Sequence, residues 1–250
     1  MLKPAFALAL ALLAWPAAAA EIKVLTSGAY KPVVVALVPV FEKATGHKVT
    51  VDNDTAGALV RRVEGGEAFD VVVLTPGGLT ELAKKGRVAN EPPRGLAKVG
   101  IGVAVKEGAK LPDIATSDDF RRTLLAATKV AMIDPAAGGS SGIYLAGLFE
   151  RWGIAEAIKA KAVLVPGGLV ATRVVSGEAD LAIHQVSEIL AVKGAVLAGP
   201  LPADIQNYTV YAGGISATTR EPDAARGFLK TLAGPDAAAV LEAKGMLPAN

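Results

Sequence analysis

KVAMIDPAAGGSSGIYLAGLFERWG, residues 129–153, holds a strand, a joint and a helix in one run. VAMI is short, continuous and apolar, as in a strand covered on both faces. Leu145, Phe149 and Trp152 recur at helical spacing, and Gly153 supplies a stop. Between them lies Gly138-Gly139-Ser140-Ser141-Gly142, richer in glycine and hydroxyl than a helix cap requires. A strand, a small polar joint and a helix is the repeating unit of an open α/β sheet.

The unit recurs along the chain. Apolar, β-branched runs at 22–26, 48–52, 70–74, 99–105, 129–133, 162–165, 180–184 and 208–212 predict strands. Val33, Leu37, Val40 and Phe41 predict a helix that Pro39 should kink. Ser117 is expected to cap another, with Asp118 and Asp119 in its first turn. Two helices close the chain, from Pro222 to Gly234 and from Asp236 to Gly245. The fold class expected is α/β, with open, mostly parallel sheets flanked by helices.

Residues 1–20 read as a signal peptide: Lys3, a short apolar stretch to Leu13, Pro16, and an A-x-A site ending at Ala20. That implies export to the periplasm and cleavage after Ala20. The remainder suffices for two small domains. The net charge of +2 offers no basic block for nucleic acid. With no cysteine and two isolated histidines, His47 and His184, neither a metal site nor a thiol enzyme is expected.

Small ligands bind beyond the carboxyl ends of the strands in such sheets, where helices begin with unpaired N–H groups. Five joints qualify: Ser27-Gly28, Thr55-Ala56-Gly57, Thr75-Pro76-Gly77-Gly78, Ser140-Ser141-Gly142 and Gly167-Gly168. Each alone is an ordinary cap or turn. Several facing one cleft would bind an anion without a charged side chain. Gly138-x-Ser140-x-Gly142 also matches a hydrolase nucleophile elbow, with Asp180 and His184 downstream. Asp134–Ala137 separates that serine from its strand, however, and Asp180 and His184 would lie about 13 Å apart along one strand. A secreted serine hydrolase using Ser140 is therefore the remote alternative.

The stretch VLTSGAYKPVVVALVPVFEKATGHKVTVDNDTAGALVRRVEGGEAFDVVVLTP, with SSGIYLAGLFERWGI, VVSGEADLAIHQVSEI and the paired C-terminal helices, resembles the bacterial extracytoplasmic solute-binding proteins of the molybdate-binding type. The resemblance implies a type 2 periplasmic binding fold with two lobes. Residues 21–102 and 210–250 would form one, residues 103–209 the other, and the ligand would sit in the cleft between them. It implies a monomer without cofactor that serves a membrane permease, most simply of an ABC importer. It carries ligand contacts onto Ser27 and Thr55, onto the Ser141 helix start and onto the Gly167–Gly168 amides. The family's tyrosine falls on Gln185. An amide brings an acceptor as well as donors, which a fully deprotonated oxyanion does not need. A small organic carboxylate is therefore expected ahead of molybdate or tungstate. Arg173 is a further candidate, as a fork onto that carboxylate. The expected ligand set is thus Ser27, Gly28, Thr55, Ala56, Ser140, Ser141, Gly142, Gly168, Arg173 and Gln185, in a protein expected not to catalyse. His184 is expected to pack within the sheet, on the side opposite Gln185.

Overall fold

A computed structural model describes residues 19–249. The expected signal peptide lies almost wholly outside those residues. Among the described residues no helix is long and apolar enough to cross a membrane.

One long path of strands organises the chain. β1 (Glu21–Ser27) lies parallel between β2 (Lys48–Asp54) and β3 (Val71–Leu74). β5 (Val130–Ile133) lies parallel between β6 (Ala162–Val165) and β7 (Leu181–Gln185). Joining the two triplets are β4 (Arg94–Lys106) and β9 (Tyr208–Ile215), in the order β2-β1-β3-β9-β4-β7-β5-β6. The triplets are parallel, as expected, and the joining strands run antiparallel to their neighbours. β4 is shared by both halves. Arg94–Gly100 pairs with β9, whereas Ile101–Ala104 pairs with β7. Its far end also pairs with β8 (Ala195–Pro200), and β10 (Leu247–Pro248) pairs near its start.

The continuous apolar runs are explained by burial on both faces. In β1 and β3, Ile22, Val24, Val71 and Val73 enter one core, while Leu25, Val72 and Leu74 enter another. The first core is closed by α1 (Lys31–Thr45), α9 (Pro222–Leu232) and α10 (Pro235–Ala243). The second is closed by α2 (Ala56–Glu64) and α3 (Pro76–Lys84). The other half repeats the plan. Ile101, Val103, Val130, Met132 and Ile183 face α4 (Ser117–Ala126), α5 (Ser140–Arg151) and α6 (Ala155–Lys159). Ala104, Ala131 and Ala182 face α7 (Thr172–Val175) and α8 (Val186–Ile189).

Some local expectations change. Thr116, not Ser117, caps α4: its hydroxyl accepts from Asp119 N–H while the Asp119 carboxylate accepts from Thr116 N–H. α1 runs unbroken through Pro39. β8 and the first half of β4 were not anticipated, because AVLAGP and RGLAK lack a strong apolar pattern.

In the first core Phe228 meets Phe41 edge-on, with ring centroids 5.2 Å apart, and both are buried. Phe228→Ala should destabilise the protein by about 3–5 kcal/mol, measured as a lower urea midpoint at constant m-value.

Candidate functional site

The ends of β1, β2, β5 and β7 meet at one cavity of about 30 Å³, room for about one or two water molecules. Ser27 and Gly28 line it from the end of β1, and Thr55 and Ala56 from the start of α2. Ser140 and Ser141 line it from the start of α5, and Gly168 from the loop after β6. The back wall is Gln185, His184, Glu188 and Tyr211. The joints expected to converge do so, except Thr75–Gly78, which lies elsewhere.

Hydroxyls do less here than the sequence suggested. Ser27 Oγ–H donates to the Val73 carbonyl at 3.2 Å. Thr55 Oγ accepts from Ala58 N–H and donates to the Ala137 carbonyl. Ser141 is buried and its hydroxyl has no partner among the described residues. The helix starts matter more. Threonine side chains cap α2, α3 and α4. α5, with two serines in its first turn, has no side-chain cap, and neither has the 3-10 turn Gly28–Tyr30. Residues of both starts line the cavity, and free N–H groups of a helix start suit an anion.

Two expected contacts are corrected. Arg173 does not reach the cavity: from the single-turn α7 its guanidinium grips Glu178 at 3.0 Å and 3.1 Å. Gly142 does not line it either. A Cβ there would stand 2.3 Å from the Ile133 carbonyl, so this glycine lets α5 sit on the end of β5. Gly139 serves the same packing, since its Cβ would meet Ile133 Cγ2. The glycine surplus in the joint is thus mostly a matter of close approach.

Gly138 faces another glycine across the cleft. It adopts φ +81°, and a Cβ on it would stand 2.7 Å from Gly57 Cα. Gly57 N–H donates to the Gly138 carbonyl at 3.0 Å. Arg61 Nη2 donates to the Ala137 carbonyl at 3.3 Å, beside the Thr55 bond. These contacts form a clasp between α2 and the turn before α5, beside the small cavity. Arg62 steadies the clasp's α2 side by ion pairs to Asp52, Asp54 and Glu67. Arg62, then Lys23, holds the Glu67 carboxyl down to about 2.

The back wall holds what sequence reasoning missed. His184 does not merely pack in the sheet. β7 ends at Gln185, the chain turns into α8, and the strand alternation stops there, so both residues face the cavity. One turn on, Glu188 Oε2 lies 3.2 Å from His184 Nε2, and both side chains are buried. Burial pushes Glu188 up to about 8 and His184 down to about 3. At neutral pH the pair is therefore a carboxylic acid beside a neutral imidazole. Gln185 Nε2 donates to Thr209 Oγ1 at 2.9 Å, whereas Gln185 Oε1 and His184 Nδ1 are buried without partners. The i,i+4 spacing of His184 and Glu188 was the available signal, masked by reading the segment as strand. No hydrogen bond joins Ser140 to a histidine among the described residues, and no three His, Asp or Glu side chains there group to hold a metal.

Two predictions follow from this geometry. Gly57→Ala should hold the cleft open, because the new Cβ would stand 2.8 Å from Gly138 Cα; small-angle scattering should then give a larger radius of gyration than wild type. The acid–imidazole pair sets the second. Taking the ordinary values of 4.5 and 6.5 for the unfolded chain, folded and unfolded forms bind equal protons between pH 4.5 and 6.5. From pH 6.5 to about 8 the folded form keeps one proton more, so stability falls with rising pH, by up to about 1.4 kcal/mol per pH unit. Glu188→Gln should abolish that fall, read by urea titrations from pH 5 to 8.5.

Comparison with known proteins fits the fold and revises one expectation. Residues 22–247 match the family described as bacterial extracellular solute-binding protein. Among solved structures, the periplasmic molybdate-binding protein of Azotobacter vinelandii superposes with a TM-score of 0.78 at 21% identity, over 91% of this chain and 99% of that one. The sulfate-binding protein of Mycobacterium tuberculosis does so with 0.73 at 20%, over 92% and 88%. A protein named aconitate isomerase, from Pseudomonas sp, is 36% identical over 231 residues, covering 90% of this chain and 87% of its own length. That relative is named as an enzyme, so the expectation of a non-catalytic protein is overturned. Fold, cleft and family match agree: the chain belongs to the bacterial extracellular solute-binding proteins.

Proposed function

We propose that the cleft binds a small polycarboxylate and moves a proton on it, as an isomerase of the aconitate type. The observation that carries this reading is the buried Glu188–His184 pair, which lines the same cavity as the Ser27, Thr55 and Ser141 joints. In such a tricarboxylate, a C=C bond with a carboxylate at each end of the three-carbon unit has a methylene next to it. A base takes one methylene proton, and its C–H electrons become a new C=C bond. The old double-bond electrons form a C–H bond at the far carbon with a proton from an acid. The skeleton is regenerated, but the new double bond was a single bond free to rotate, so its geometry can differ. The reaction consumes and releases one proton and no electrons. A neutral imidazole and a carboxylic acid 3.2 Å apart match that demand for one base and one acid.

Anion recognition falls to the uncapped start of α5, to the Ser27–Gly28 turn and to the Ser141 hydroxyl. Rotating the Gln185 amide keeps its bond to the Thr209 hydroxyl, which both donates and accepts, and aims N–H at a carboxylate. His184 Nδ1, the buried acceptor-capable atom still unpaired after that rotation, offers nothing to a fully deprotonated oxyanion such as molybdate or tungstate. The lobes, residues 21–102 with 210–250 and residues 103–209, must part to admit a tricarboxylate, because the closed cavity is far smaller than one. Export to the periplasm after cleavage at Ala20, a monomeric state and presentation of the closed form to an ABC-type permease fit the same fold and complete the reading.

Purified protein should interconvert cis- and trans-aconitate, followed by nuclear magnetic resonance or chromatography. Glu188→Gln should lower kcat by about 10²–10⁴-fold while a saturated tricarboxylate still binds by calorimetry. Wild-type kcat should fall above pH 8 as the acid ionises. Tight molybdate binding with no tricarboxylate turnover would overturn the reading.

A further inference from the structure

The four tyrosines differ in what their hydroxyls do. Tyr30 donates to the Leu232 carbonyl at 3.4 Å, and Tyr144 to the Ile205 carbonyl at 2.5 Å. Tyr208 is half exposed. Tyr211 is 3% exposed, packs its ring 6.1 Å from that of Tyr30, and lines the cavity. Its hydroxyl has no hydrogen-bond partner among the described residues. A buried tyrosine hydroxyl normally finds one. Tyr30, its equally buried neighbour, has one and does not line the cavity.

Position in the sheet explains where this hydroxyl is aimed. Tyr211 and Thr209 stand two apart on β9 and share a face. Thr209 binds Gln185, so Tyr211 belongs to the same back wall as Gln185, His184 and Glu188. Burial, and next the charge on Glu188 when ionised, raises the Tyr211 phenol far above its ordinary value. The phenol therefore stays a neutral donor across the working pH range, close to the proposed acid.

We infer that Tyr211 is a catalytic residue whose hydroxyl donates to the substrate carboxylate beside the carbon that loses its proton. Charge from the breaking C–H bond flows onto that carboxylate in the transition state, and a preplaced O–H binds it more strongly there than in the ground state. Tyr211 neither gains nor loses a proton in the cycle. This assignment rests on the isomerase reading above and adds the group that stabilises the charge.

The test is aconitate isomerisation by Tyr211→Phe and, as a control, Tyr30→Phe, with melting temperatures recorded for both. Tyr211→Phe should melt near wild type and lose about 10²–10³-fold in kcat with a much smaller change in KM. Tyr30→Phe should keep its kcat. Unchanged kcat in Tyr211→Phe, or a loss only in KM, would overturn the catalytic role of Tyr211 while leaving the isomerase reading intact. A wild-type protein that binds aconitate without isomerising it would overturn both.

Discussion

A buried carboxyl group with no cation beside it is the constraint on which the cavity depends. Glu188 has His184 for a partner and no lysine or arginine. An ionised carboxylate there would be strongly disfavoured, so the group keeps its proton instead. Everything around it is compatible with that choice. Apart from Asp54, whose carboxylate pairs with Arg62, the rest of the wall is neutral, the helix starts carry only partial positive charge, and Arg173 is engaged outside by Glu178. An incoming anion therefore meets donors and no net negative charge from Glu188.

That arrangement separates two tasks which a cationic pocket would merge. A fixed guanidinium would bind the ground-state carboxylate and hold Glu188 ionised. Backbone amides do the first without the second. In the proposed isomerase, binding and proton transfer would use different atoms of the same small space: amides at the ends of β1 and β5, acid and base on the turn from β7 to α8.

Much of the fold was legible. Continuous runs such as VVVL and VAMI announced strands buried on both faces, and alternate residues do enter different cores. The joints at Ser27, Thr55, Ser140 and Gly168 were legible as a group, since small polar residues before helices mark the ligand end of an α/β sheet. Their detailed roles were not. Thr55 reads the same whether its hydroxyl faces an anion or closes a cap and reaches Ala137. Arg173 reads as a clamp until Glu178 is seen to hold it. Glu188 and Tyr211 were hidden for a deeper reason. One follows an apolar strand and the other sits inside YTVYA, and their meaning comes from elements more than twenty residues apart in the chain meeting at one wall.

Gly57 and Gly138 touch backbone to backbone, with side-chain support from Thr55 and Arg61 at the rim. Closure is thereby uncoupled from the identity of whatever lies inside. A lineage could exchange Gln185, Glu188 or Tyr211, and so turn a receptor into a catalyst or redirect it to another cargo, without rebuilding the way the lobes shut. Evolvability of the wall is the consequence of a clasp that rests on backbone contact between two glycines and on Thr55 and Arg61 at the rim rather than on the back wall.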